Sequence, residues 1–249
     1  MAHVPYHAVT QQCTTLVSPC SVADARFTID RVMNIILKAV LLVVLIPLLA
    51  ACDSADKPTL SLYLAVQRGD IDQIHRHIRW HTDINQFDVD GRQPLHVAAE
   101  QGEQVIVRLL LENGADIDGL DREGHSPLHI AVMGGKTQVA EFLIKKGASY
   151  DANRLLFAAV ENHVSDRDVF RLLTSLGADV NHLDTAGHTP LIQAIYADDR
   201  VLVKYLITQG GADPNRRDNT GKSPLALATE RDDADIIRLL KRHGAKLDP

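Results

Sequence analysis

The sequence predicts an all-α solenoid of about six stacked helix-turn-helix units, preceded by a hydrophobic N-terminal helix. Two observations carry this. Residues 91–150 contain one motif twice at an offset of 33 residues, with Gly91 returning as Gly124, Pro94 as Pro127, His96 as His129 and Gly114 as Gly147. A fixed period of this size marks a stacked-repeat architecture. Within each copy, apolar residues such as Ile106, Leu109 and Leu110 fall three and four apart, which is one face of a helix.

One unit explains itself locally. Gln93 or Ser126 precedes Pro94 or Pro127. A serine hydroxyl caps the free amides of a helix start, and proline is pre-set for the first helical position. The helix that follows is short and rich in alanine, so it lies close to its neighbours, and Gly102 or Gly135 breaks it. A second helix carries the apolar stripe and ends at Gly114, in a conformation that favours residues without a Cβ. Ala115-Asp116-Ile117-Asp118 then leads to a polar turn with Gly124 near its tip. These residues resemble the ankyrin repeat, and the resemblance covers roughly residues 58–249. It implies an ankyrin-repeat solenoid in which each unit buries its apolar face only against the next, so at least three must stack.

Composition excludes several classes. Three cysteines and 4% aromatic residues give neither a disulfide framework nor an aromatic core. A net charge of −6 argues against a general nucleic-acid binder, which is usually basic.

Residues 1–32 show no repeat and are expected to be disordered or untranslated, with translation starting at Met33 and Cys13 and Cys20 then absent. Residues 33–51 read as a signal peptide. Lys38 supplies the positive charge, Ala39–Ala50 the apolar run, and Leu49-Ala50-Ala51 the small residues before Cys52. This arrangement resembles the lipobox of bacterial lipoproteins, which implies cleavage before Cys52 and lipid attachment to its sulfur. A signal-anchor helix is the rival reading, but 12 apolar residues fall short of the ~20 a span needs. Asp53 resembles the inner-membrane retention signal of enterobacterial lipoproteins. The resemblance thus implies a lipid-anchored protein on the periplasmic side of the cell membrane, with the inner membrane favoured. Residues 52–58 form the lipidated tether. Residues 1–51 hold three basic and two acidic side chains, so the remainder carries −7. Such a domain stands off an anionic membrane.

The repeat domain, residues 59–249, divides at about 59–90, 91–123, 124–150, 151–186, 187–220 and 221–249. The first unit lacks the proline start and has His81 where later units use glycine, as suits a terminal repeat. The fourth runs from Asp151-Ala152-Asn153 almost directly into Leu155. About six residues are missing there, and with them most of a turn; three extra residues follow between its helices. The last unit is rich in charge, as suits a cap. The predicted core stripe is Ile106, Val139, Val169, Leu202 and Ile236 with Leu110, Leu143, Leu173, Leu206 and Leu240. Asp88, Asp121, Asp184 and Asp218 each precede a glycine by three residues and suit side-chain-to-backbone bonds in turns.

Nothing resembles a catalytic set: there is no G-x-S-x-G, H-E-x-x-H, phosphate loop or C-x-x-C. No enzyme, cofactor or metal is expected. A hydrolytic or metal-binding rival would use the 12 histidines and the aspartates. His75, His77 and His81 are its best cluster, with His77 and His81 sharing a helix face, but no carboxylate or cysteine completes the set. Glu161, His163, Asp166 and Asp168 in the odd loop are the only acids and bases that break the repeat. His96 and His129 are expected to bond to backbone in the turn network, as the resemblance implies. Trp80 is expected to cap the open end of the stack.

What remains is binding. Ankyrin-type stacks bind proteins on a long concave surface of turn tips and first-helix faces. The resemblance carries this onto tip residues Asp90, Arg92, Arg122, Glu123, His125, Thr185, His188, Asn219 and Lys222. On the first helices it gives Glu100, Gln101, Met133, Tyr196, Glu230 and Arg231. Met133 and Tyr196 stand where matching positions are polar, and serve as interface anchors or as packing. The expected protein is a monomeric, membrane-tethered module that binds another protein in the periplasm. It would act as an enzyme accessory or an immunity-type inhibitor; a plain structural spacer is a third reading.

Overall fold

The computed structural model describes residues 57–246, so the predicted signal segment, Cys52 and Asp53 lie outside the described residues. Among the described residues there are twelve helices and no strand. They come in pairs: α1 (Leu62–Gln67) with α2 (Ile71–Arg79), α3 (Pro94–Gln101) with α4 (Gln104–Glu112), α5 (Pro127–Met133) with α6 (Thr137–Lys145), α7 (Ala152–Glu161) with α8 (Arg167–Ser175), α9 (Pro190–Tyr196) with α10 (Arg200–Thr208), and α11 (Pro224–Glu230) with α12 (Ala234–Arg242). Each first helix packs on its own partner and on the first helix of the next pair.

Local chemistry sets the boundaries. Ser126, Thr189 and Ser223 accept a hydrogen bond from the amide three residues on, with proline at the first helical position. Asp70, Asp199 and Asp233 cap second helices in the same way. The link between the helices of a pair needs one left-handed residue. Gly69, Gly102 and Gly135 supply it in the first three units, and His163, Asp198 and Asp232 take it in the last three. His81 likewise stands at φ 52° in the place of a glycine, so it lies beyond α2 and shares no helix face with His77.

All ten predicted stripe residues are buried in one continuous core. Methylene for methylene, these side chains supply the main stabilising term, at about 25 cal/mol per Å² of apolar surface removed from water. Each turn aspartate folds its own hairpin. Asp88 Oδ1 accepts from the amides of Asp90 (2.9 Å) and Arg92 (2.7 Å), and Asp121 and Asp218 repeat the pattern; Asp184 accepts from His188 (2.8 Å).

A second set of bonds ties one unit to the next. Asn85 Oδ1 accepts from the Asp116 amide, Asp118 from Ser149, Asn181 from Asp213, and Asn215 from Lys246, each at 2.8 Å. In the irregular fourth unit the corresponding bond stays inside the unit: Asn153 stands on α7 and its Oδ1 accepts from the amide of Asp179, which follows α8 (2.8 Å).

Unit four differs from expectation in its counts. Glu103 donates to the Ala98 carbonyl, Lys136 to that of Ala131, and Val164 to that of Ala159. Ala159, not Ala158, therefore takes the place of Ala98. Ala98 and Ala131 lie 33 residues apart and Ala131 and Ala159 only 28, so five residues are missing before α7 rather than six. The insertion between α7 and α8 is correspondingly two residues, not three. Trp80, which follows α2 in the first unit, is 44% exposed.

Leu143 is fully buried between pairs. Leu143→Ala is expected to cost about 2–5 kcal/mol through the cavity it leaves. Leu143→Asp buries an unpaired charge and should give no cooperative urea unfolding transition. A shallow effect of both, read by circular dichroism against urea, would contradict the packing described.

Candidate functional site

Hairpins and first helices share one face of the stack, and the predicted binding residues lie on it in pairs. At three of the four hairpins, the residue after the glycine meets the residue eight places later, at the end of the first helix. Arg92 bonds Glu100 at 3.1 Å, Lys222 bonds Glu230 at 2.7 Å, and the His188 and Tyr196 rings are tilted 5.1 Å apart. Tyr196 is 41% exposed and available, whereas Met133 is half-buried against the core. Some predicted tip residues have structural duties. Gln101 donates across to the Gln67 carbonyl (2.8 Å). Arg122 and Asn219 bind the preceding hairpin: their amides donate to the carbonyls of Gly91 (3.2 Å) and Gly187 (3.0 Å). Glu123 lies 3.4 Å from His125, and Asp90, Thr185 and Arg231 are exposed.

The row of hairpins is interrupted once. Hairpins 88–92 and 121–125 form one bonded pair, and 184–188 and 218–222 another. Between them, Ser149-Tyr150-Asp151 passes straight into α7, with Asp151 accepting from the Arg154 amide (3.1 Å) as its cap. The absent hairpin leaves a cleft of about 320 Å³ lined by Leu120, Gly124, His125, Leu128, His129, Tyr150, Arg154 and Leu155.

The two Pro-Leu-His steps show what the gap changes. His96 is buried; its Nδ1 accepts from the Gln93 amide (3.2 Å) and its Nε2 reaches the His125 carbonyl of the next hairpin (3.1 Å). With Nδ1 accepting, Nε2 carries the proton. His129 has no next hairpin. Contrary to expectation its ring makes no hydrogen bond to backbone among the described residues, and stacks on His125 instead, centroids 4.3 Å apart and planes 6° off parallel. Burial, with His125 and Arg154 nearby, pushes its pKa down to about 4. Burial also lowers that of His96.

The rival chemistry finds little footing. Both ring nitrogens of His77 are engaged, with Thr82 Oγ1 (3.1 Å) and the Leu60 carbonyl (2.8 Å). Among the described residues no three His, Cys, Asp or Glu side chains gather to hold a metal. In the odd loop, Asp166 caps α8, Asp168 pairs with Arg171 (2.9 Å), His163 lies 3.6 Å from Asp199, and Glu161 accepts from Gln193 (2.8 Å).

The low His129 pKa has a consequence for stability. The folded chain leaves the ring neutral down to about pH 4, while the unfolded chain protonates it near 6.5. Between these values the unfolded state binds more protons, so stability falls as pH drops from about 6.5 towards 4. The urea midpoint should fall across this window. His129→Phe keeps a ring on His125 and should flatten the fall; an unchanged slope would contradict the neutral, stacked histidine.

The family model described as ankyrin repeats (3 copies) matches residues 62–154 and again 155–249. Among solved structures, the ankyrin-repeat domain of Bcl-3 is 27% identical, covering 76% of this chain and 88% of its own, with a TM-score of 0.62. A chain from the complex of the predatory endopeptidase Bd0816 of Bdellovibrio bacteriovorus with immunity protein Bd3460 is 25% identical, covering 75% and 99%, at 0.58. The ankyrin-repeat domain ABAYE2397 of Acinetobacter baumannii AYE is 29% identical, covering 74% and 98%, at 0.56. A curated relative, the 60 kDa lysophospholipase of Mus musculus, is 38% identical over 50 residues, which is 20% of this chain and 9% of that protein. The chain thus spans about a tenth of the curated relative it matches. With its period, its paired helices and its hairpin network now accounted for, the chain belongs to the ankyrin-repeat family.

Proposed function

We propose that this protein is a non-catalytic binding module. It is held at the periplasmic side of the bacterial cell membrane by lipid on Cys52, with the inner membrane favoured by Asp53, and grips one protein partner as a monomer. The observation that carries the reading is the interrupted hairpin row. Elsewhere the face is closed by bonds between neighbouring hairpins, and at unit four it opens into a cleft beside an unbonded histidine. A fold needing only stability has no use for such a break. Ankyrin repeats generally bind proteins, which supports a protein partner over nucleic acid, as does the acidic balance of the chain.

The partner is an enzyme that the module holds or blocks. The similar chain from an endopeptidase–immunity protein complex favours the blocking version. In units two, five and six, Tyr196, His188, Glu100, Glu230 and Lys222 add exposed or half-exposed polar and aromatic groups that suit a specific interface.

Affinity capture with the soluble form from Ser54 onward, followed by mass spectrometry, should return one stoichiometric partner. Tyr196→Ala with His188→Ala should weaken that capture roughly tenfold or more, as loss of an aromatic anchor does. Unchanged capture by the double variant would contradict the assigned face. Labelling with a fatty-acid analogue should mark the wild-type chain and not Cys52→Ala; an unlabelled wild type would contradict the anchor.

A further inference from the structure

The gap is specific in shape because the intact junctions record what a hairpin does when it fills the slot. Hairpin 121–125 satisfies two groups of the unit before it. Its Arg122 amide donates to the Gly91 carbonyl (3.2 Å), and three residues on its His125 carbonyl accepts a hydrogen bond from His96 Nε2 (3.1 Å). It also packs tightly: a Cβ on Gly91 would come within 2.9 Å of the Arg122 Cβ. The last junction repeats the close approach, with Asn219 against Gly187 and its amide on the Gly187 carbonyl (3.0 Å).

At unit three the same groups are displayed without a hairpin to meet them. Gly124 corresponds to Gly91, yet nothing lies within 4 Å of where its Cβ would be. Among the described residues its carbonyl accepts no hydrogen bond, and the ring of His129, the counterpart of His96, makes none. The position 29 residues after His129, which would supply the carbonyl, is Ala158 inside α7. The carboxylates bordering the cleft are occupied: Asp118 holds Ser149 through both oxygens (2.8 and 2.7 Å), and Asp151 caps α7.

We infer that the slot beside Gly124 and His129 is completed in trans by a tight turn of the partner protein, which donates a backbone amide to the Gly124 carbonyl and offers, three residues later, a backbone carbonyl to His129 Nε2. The inference rests on the protein-binding reading above and names what the partner inserts. The turn residue over Gly124 has a Cβ, as Arg122 and Asn219 do in their slots, and a polar side chain there suits the open carbonyl of Arg122, just as Arg122 Nη2 reaches the Val89 carbonyl (3.2 Å). Each lost hydrogen bond of this kind is worth about a fivefold to tenfold change in affinity.

The probe is a cyclic peptide with the sequence Leu-Asp-Arg-Glu-Gly-His-Ser, which copies residues 120–126. It is titrated to millimolar concentration into the full chain in detergent, with ¹⁵N-labelled histidine and glycine. The His129 ring and Gly124 amide resonances should shift and saturate, while His163 stays put. His129→Phe should weaken the peptide about tenfold. A chain with five residues of hairpin restored after Tyr150 should fold, by circular dichroism, and show no shift. Absence of a saturable shift in the wild type, or an equal shift in the restored chain, would overturn the inference. So would a His129 shift that follows protein concentration without peptide, which would make a second copy the occupant. The capture experiment is independent of this probe, so a negative peptide result with a captured partner rejects the inserted turn alone.

Discussion

Everything in this domain depends on one constraint: a pair of short helices cannot bury its own apolar face. The α3 and α4 pair hides Ile106, Val107 and Leu110 only because the pairs before and after it lie against them. Stability is then a sum of contacts between neighbours. That sum tolerates variation in any part that does not form the shared face, and hairpins, links and caps are all such parts. It does not tolerate a break in the stripe, and Val169 and Leu173 keep the stripe whole through the unit that has lost its hairpin.

The cost of that loss is local and visible. In the intact junction between units two and three a hairpin brings an amide, a carbonyl and a Cβ to the unit before it. Take it away and three matching groups, the Gly124 carbonyl, the His129 ring and the bare face of Gly124, stand open together. Inside unit four, Asn153 on α7 accepts from the Asp179 amide, so the start of the first helix is still tied to the end of the second. Unit four is thus held together beside a slot that is left open, which is the combination a binding cleft requires.

Much of this was legible in the residues. The offset from His96 to His129, the leucine stripe and the acid-to-glycine spacing of the turns each follow from one chemical demand repeated at one distance. Pattern failed where the demand depends on a neighbour. His96 and His129 sit in the same Pro-Leu-His step and have different fates, because the partner of one is a hairpin that the other lacks. The ladder of Asn85, Asp118, Asn181 and Asn215 was missed because both residue type and spacing drift along it. The size of the deletion was misjudged by one residue, because Ala158 and Ala159 are interchangeable until a backbone bond selects one.

The claim at the centre is that hairpins and first helices, with the vacant slot among them, form the surface that meets another protein. Hydrogen–deuterium exchange of the chain with and without its captured partner tests this most directly. Protection should appear in segments 120–133 and 150–154 and around Tyr196, with the second helices α4, α6 and α10 unchanged. Protection confined to those second helices, with the slot exchanging freely, would contradict it.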